Sequence, residues 1–219
     1  MDSQKAKQIS CVIYDCDGVL FDSLDANRRL YNHICASIGR KELTEEEMHY
    51  CHTHTVFEAI HFLFPQDETA EKRALDFLKN QVDLKVFVEY LIMEPNLLEA
   101  LEAIRRKKII TAISTNRTTS MKHVMERFKL WPYFDMVVTA LDVERPKPHA
   151  EMVEKILSRF NLQKEEVLFV GDSEVDKKTA EASGVRFVAY KAAHLSEDAA
   201  IDDHLAVLRL LSNGDAPQE

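Results

Sequence analysis

From Pro95 onward, short apolar runs rich in β-branched residues alternate with amphipathic segments, and this alternation restricts the fold more than any other feature. Residues 109–115, 135–140, 167–172 and 187–190 read as strands. Between and around them, residues 97–107, 121–128, 150–160 and 177–183 read as helices. In the first of these Leu98, Leu101 and Ile104 face inward, and the last is closed by Gly184. Strands and helices alternating at this spacing imply a parallel sheet covered on both faces. Residues 201–211 predict a last amphipathic helix and 213–219 a frayed tail.

One further strand lies far upstream, in the run from Ile9 to Tyr14. It ends abruptly in Asp15-Cys16-Asp17-Gly18, two carboxylates spaced two apart and a glycine. A buried strand would deliver both aspartates to a loop at its carboxyl end, where open α/β sheets bind ligands. The region between this strand and the alternating part has a different character. Leu24, Tyr31, Ile34 and Ile38 recur at helical spacing before Gly39, Thr44 and Glu47 have the spacing of a capping box, and helices are expected over 56–64, 70–80 and 84–93. The expected organisation is therefore an α/β core of residues 1–23 and 93–219, with an all-helical insert of residues 24–92.

The net charge of −9 argues against a nucleic-acid surface, which normally carries a basic footprint. No apolar run approaches the roughly 20 residues of a membrane span, and the opening residues are too polar for a secretory signal, so a cytoplasmic protein is expected. Cys11, Cys16, Cys35 and Cys51 follow no disulfide framework and read as reduced thiols.

Three later stretches supply what a phosphate-handling aspartate needs. The second strand ends in Thr115-Asn116, a hydroxyl and a backbone amide ahead of a helix, which suits an anion. Thr118, Thr119 and Ser120, just beyond, are read as helix caps. Lys147 stands between Pro146 and Pro148, which restrict its backbone and so the direction of its ammonium group. The fourth strand ends in Gly171-Asp172-Ser173-Glu174-Val175-Asp176. Its carboxylates could converge with Asp15 on a hard cation such as Mg²⁺, which prefers oxygen ligands.

These four stretches, in this order, resemble the motifs of the haloacid dehalogenase (HAD) superfamily. The helical insert is similar to the cap of its phosphoglycolate phosphatase-like and β-phosphoglucomutase-like branch. The resemblance implies a Rossmann-like α/β core with strand order 5-4-1-2-3 and a cap that closes over the site. It implies Asp15 as the nucleophile and Asp17 as the acid and base. Thr115 and Asn116 would bind the phosphoryl group, and Lys147 would neutralise charge on it and on Asp15. Mg²⁺ would be held by Asp15, the Asp17 carbonyl and Asp172, with Asp176 orienting Lys147 or a metal-bound water. A halide leaves without a proton or a cation, so Asp17 and Asp172 point to phosphate esters rather than to dehalogenation.

The chain also departs from the family pattern. Ala150 replaces a frequent proline, Arg145 offers an alternative register for the lysine motif, and Asn96 stands where relatives often have a hinge glycine. Residues 45–64 contain no lysine or arginine, which favours hydrolysis of a small phosphorylated metabolite over isomerisation. A sugar-phosphate phosphomutase and a non-catalytic phosphate-binding module remain the alternatives. The same segment holds His49, Cys51, His52, His54 and His61. His52 and His54, at the break between two cap helices, are the expected substrate contacts, and a zinc site matches no strong signature.

Overall fold

The computed structural model describes residues 8–196 and 199–211. The predicted tail at 213–219 lies outside these. The strands are β1 (Cys11–Tyr14), β2 (Phe21–Asp22), β3 (Ile92–Met93), β4 (Ile110–Thr115), β5 (Met136–Thr139), β6 (Val167–Gly171), β7 (Arg186–Tyr190) and β8 (Ala200–Ile201). The helices are α1 (Leu24–Ile38), α2 (Glu45–Thr53), α3 (Val56–Leu63), α4 (Glu68–Gln81), α5 (Leu84–Val88), α6 (Leu97–Arg106), α7 (Ser120–Arg127), α8 (Glu151–Phe160), α9 (Glu174–Ser183) and α10 (Val207–Leu211).

The main sheet is parallel and runs β5-β4-β1-β6-β7-β8. Counted over the five strands expected from sequence, this is the order 5-4-1-2-3, with β8 added at the far edge. Alternation along β1 sorts the two layers. Val12 and Tyr14 pack with Leu101 and Ile104 of α6 and Val124 of α7, whereas Cys11 and Ile13 pack with Met152 and Ile156 of α8 and Ala180 of α9. Neither face of the central strands reaches water, which is why their sequences are almost continuously apolar.

Helices α1 to α5 form the insert, and α1 to α4 have a hydrophobic core of their own around Tyr31, Ile34, Met48, Ile60 and Ala74. Local chemistry starts and stops them. Gly39 closes α1 at φ 83°, and α2 and α3 begin with reciprocal capping boxes, Thr44 with Glu47 and Thr55 with Glu58.

The structure corrects three sequence expectations. The helix predicted over 84–93 stops at Val88, because Ile92–Met93 pairs antiparallel with Phe21–Asp22 in a two-stranded ribbon where the chain leaves and re-enters the core. On α6 it is Leu97, with Ala100, Leu101 and Ile104, that faces inward, while Leu98 is exposed. The predicted final helix is split into β8, a 3-10 turn at His204–Ala206 and the short α10, since Ala200 and Ile201 complete the sheet edge beside β7.

The return crossing is pinned to the core. Asn96 adopts a left-handed conformation at φ 60°, one that asparagine tolerates better than most residues, and donates to Asp203 at 2.5 Å. Glu94 accepts from the Tyr190 hydroxyl at 2.9 Å and from Lys191 at 2.5 Å.

Candidate active site

Strands β1, β4 and β6 are adjacent and parallel, so their carboxyl ends open on one side of the sheet. There Asp15, Asp17, Thr115, Asn116, Lys147 and Asp172 line one cavity of about 660 Å³, closed on the other side by cap residues that include His52 and His54. Asp176 adjoins this group from the first turn of α9. All nine residues singled out from sequence are thus brought together, although 161 positions separate Asp15 from Asp176.

Lys147 is 2 % exposed and reaches Asp15 at 2.8 Å and Asp176 at 2.6 Å. Burial alone would discharge an ammonium group, but these two carboxylates outweigh it and hold the lysine firmly protonated. Arg145, the alternative register, lies at the surface beside Glu151, 3.5 Å away. Asp176 occupies the third position of a capping box rather than a loop. Its Oδ2 accepts from the Ser173 hydroxyl at 2.6 Å and from the backbone amides of Asp172 and Ser173. Its oxygens are therefore engaged in holding Lys147 and the β6–α9 turn.

Asp15, Asp172 and Asp176 offer carboxylate oxygens within 4.8 Å of one another, the one such group of potential metal ligands among the described residues. Three carboxylates face a single cation, Lys147. Burial and then the neighbouring Asp176 push Asp15 upward despite Lys147, and burial, Asp176 and Asp15 do the same to Asp172. This all-oxygen, negatively charged donor set fits a hard divalent cation. Two glycines allow the crowding. A Cβ on Gly18, at φ 74°, would lie 1.9 Å from an Asp172 oxygen, and one on Gly171 would lie 2.3 Å from the Asp176 Cβ.

Asp17 is held by a residue that sequence reasoning passed over. Arg117 donates from Nε to Oδ2 at 2.7 Å and from Nη2 to Oδ1 at 2.6 Å, a bidentate pair, and Asn27 adds a contact to Oδ1 at 3.3 Å. Burial would raise Asp17, but the Arg117 charge and hydrogen bonds outweigh it and keep the carboxyl below the ordinary carboxylate range. Asn27 also contacts His52 Nδ1 at 3.0 Å, so Asp17 is linked to the cap. The only sequence signal for Arg117 was its position two residues past the Thr115 strand end. Its partner lies 100 residues away, out of reach of any local pattern.

Thr115 accepts the Arg117 backbone amide at 3.1 Å, which leaves its own hydroxyl proton to donate. Asn116 donates to the Thr53 carbonyl of the cap at 3.3 Å and to the Lys147 carbonyl at 3.2 Å, tying three segments together. Thr119 precedes α7 without a side-chain capping bond, so the capping expected of this stretch is not made by that residue. His54 bonds the Tyr50 carbonyl at 2.9 Å and stacks on the Tyr50 ring at 3.9 Å, while burial lowers the basicity of His52. The cap also brings Lys79 of α4 to the cavity, a basic residue outside the 45–64 segment searched from sequence. All four cysteines are free and buried, and burial pushes the Cys11 and Cys51 thiols up to about 12, which suits packing rather than nucleophilic attack.

Fold and site together define an α/β enzyme with a carboxylate cluster and a buried lysine at its strand ends, under a helical cap. Residues 12–190 match the family model described as haloacid dehalogenase-like hydrolase, and the chain belongs to that family. It is 30% identical over 196 residues to a phosphorylated carbohydrates phosphatase of Thermotoga maritima, covering 87% of this chain and 88% of the relative. It is 28% identical over 189 residues to a phosphoglycolate phosphatase of Rhodobacter capsulatus, covering 82% and 83%. The crystal structure of a HAD-superfamily hydrolase of subfamily IA, variant 1, from Geobacter sulfurreducens superposes with a TM-score of 0.79 at 40% identity, over 92% of this chain and 99% of that one. The protein is a phosphatase of the phosphoglycolate phosphatase-like branch. Among the described residues no helix is long and apolar enough to cross a membrane.

Proposed function

We propose that this chain is a Mg²⁺-dependent hydrolase of small-molecule phosphomonoesters that works in the cytoplasm through an aspartyl-phosphate on Asp15. The observation that carries the reading is the buried Lys147 ammonium group, 2.8 Å from Asp15 and 2.6 Å from Asp176, beside the Asp172 carboxylate. A carboxylate kept beside a fixed cation at a strand end can approach a phosphoryl group that would otherwise repel it. Asp15 and Asp172, with the Asp17 carbonyl, would hold Mg²⁺, whose charge when bound neutralises the phosphoryl oxygens.

The chain's own residues supply the remaining steps. An Asp15 oxygen attacks phosphorus as the bond to the ester oxygen breaks, and Asp17 delivers a proton to the departing alkoxide. Thr115 donates its hydroxyl to the transferring group, and Lys147 faces the charge that develops there. Asp17 then takes a proton from water, whose oxygen attacks phosphorus, and the bond to Asp15 breaks to release inorganic phosphate. Asp17 needs a proton for the first step, so one of its two contacts with Arg117 must be given up once substrate is bound, while the other keeps Arg117 in place.

The test is phosphate release from a panel of phosphorylated metabolites, with and without Mg²⁺, on the parent and on Asp15→Asn. Metal-dependent release that falls to background in the variant is expected. Release that survives in Asp15→Asn would remove the covalent step, and phosphate transfer between positions of a sugar without net release would favour a mutase.

A further inference from the structure

The cap side of the cavity differs in chemistry from its floor. Leu30 of α1, Val56 and Phe57 of α3, Leu75 and Leu78 of α4, and Leu84 of α5 converge on it. Leu30, Val56, Leu75 and Leu78 pack against the cap's core on one side and are only partly buried there. Phe57 takes no part in that core and leaves 50 % of its surface free. Opposite, on the core side of the cavity, Leu141 is 55 % exposed. Two large apolar side chains, one from each part of the molecule, therefore line the same space with about half of their surface uncovered.

The charges of the lining point the same way. It carries five carboxylates, Asp15, Asp17, Asp76, Asp83 and Asp172, against three cationic side chains, Lys79, Arg117 and Lys147. Arg117 is committed to Asp17 and Lys147 to Asp15 and Asp176. Lys79 stands on α4 three residues after Asp76 and four before Asp83. The cap wall thus sets two carboxylates, Asp76 and Asp83, against the one ammonium group of Lys79, and a leaving group bearing a carboxylate or a second phosphate would meet a net negative wall there. A cavity of about 660 Å³ also far exceeds what a phosphoryl group with a two-carbon acid would fill.

We propose that the cap selects phosphomonoesters whose leaving alcohol is uncharged and has an apolar body, seated against Phe57, Leu75 and Leu78 and facing Leu141. This names the substrate class of the phosphatase site and rests on the reading given above. Phe57 and the two leucines act as specificity-determining residues, distant in chemistry from the phosphoryl transfer at Asp15.

The experiment measures kcat/KM, with Mg²⁺ present, for straight-chain alkyl phosphates from ethyl to hexyl, for the same chains ending in a carboxylate, and for an activated aryl phosphate. Each buried methylene is expected to raise kcat/KM about threefold to fourfold. A terminal carboxylate is expected to lower it more than about tenfold, the reverse of what a site for an anionic leaving group would do. Phe57→Ala is expected to shrink the hexyl-to-ethyl ratio about tenfold, a comparison within one protein preparation and so insensitive to the fraction folded. Hydrolysis that is flat with chain length, or faster for the carboxylated esters, would overturn the inference and leave the phosphatase reading intact. No release from any ester, the aryl phosphate included, would overturn both.

Discussion

Replacing Arg117 by methionine would leave Asp17 as a buried carboxylate with its main counter-charge gone. Removing one member of a buried pair costs about 3–5 kcal/mol, because the remaining charge is desolvated without compensation. Arg117 and Asp17 are 11 % and 14 % exposed, so some solvent screening remains and the expected loss at pH 7 is about 2–4 kcal/mol. For a chain of this size that lowers Tm by about 5–12 °C. The pH dependence has a definite sign. With Arg117 present the folded pKa of Asp17 is depressed, so its contribution is present above the ordinary carboxylate range and is lost as pH falls through the depressed value. Without Arg117, burial raises the folded pKa and the penalty grows as pH rises. The gap between parent and variant should thus be full at pH 7 and narrow below about pH 4. Urea titrations of the metal-free parent, Arg117→Met, Asp17→Asn and the double variant form the cycle that measures this, with a coupling of at least about 1.5 kcal/mol expected at pH 7. A single variant within about 0.5 kcal/mol of the parent, or strictly additive substitutions, would refute the pairing as a source of stability.

Asp15 and Asp172 both have raised folded pKa values, so the stability they contribute is present at low pH and is lost as pH rises above about 4 and on through neutrality. Mg²⁺ should therefore raise Tm, and by more at pH 8 than at pH 5; a shift independent of pH would show that the ion binds elsewhere. Gly18→Ala places a methyl group 1.9 Å from an Asp172 oxygen at a left-handed backbone position, and should cut Mg²⁺-dependent phosphate release at least about a hundredfold, with loss of the Mg²⁺-induced Tm shift. Retention of that shift would show that Asp172 can move aside at no cost to the ion. Thr44→Ala removes an exposed capping box from α2 and should cost about 1 kcal/mol in a urea titration, restored in Thr44→Ser; no loss, or no rescue by serine, would place the stability of that helix elsewhere.

The elements whose start and stop signals are local were legible from sequence. Gly39, Gly184 and the Thr44 capping box mark their helices correctly, and the apolar runs that became β1, β4, β6 and β7 could only be buried strands. Short pieces held by distant partners were not legible. Ile92–Met93 reads as the end of a helix until Phe21–Asp22 pairs with it, and Ala200–Ile201 becomes a strand only because β7 offers an unpaired edge. The Ser173–Asp176 capping box could have been read, since its spacing is the same as that of Thr44 and Glu47, and it moves the start of α9 earlier than Lys177.

The site divides along the same line. Asp15, Asp17, Thr115, Lys147 and Asp172 were identifiable because each ends a buried strand or sits in a constrained loop beside one, and parallel topology brings such ends to one edge. By itself, then, the sequence determined an α/β chain with carboxylates, a hydroxyl and a lysine at or beside its strand ends, since periodicity, caps and turn residues act over a few positions. Tertiary structure alone decided that Arg117 would grip Asp17, that Lys79 of the cap would reach the cavity, and that Phe57, Leu75 and Leu78 would line the same cavity as Asp15. Those outcomes depend on charges and apolar surfaces far apart in sequence meeting in one cavity, and no local pattern encodes such a meeting.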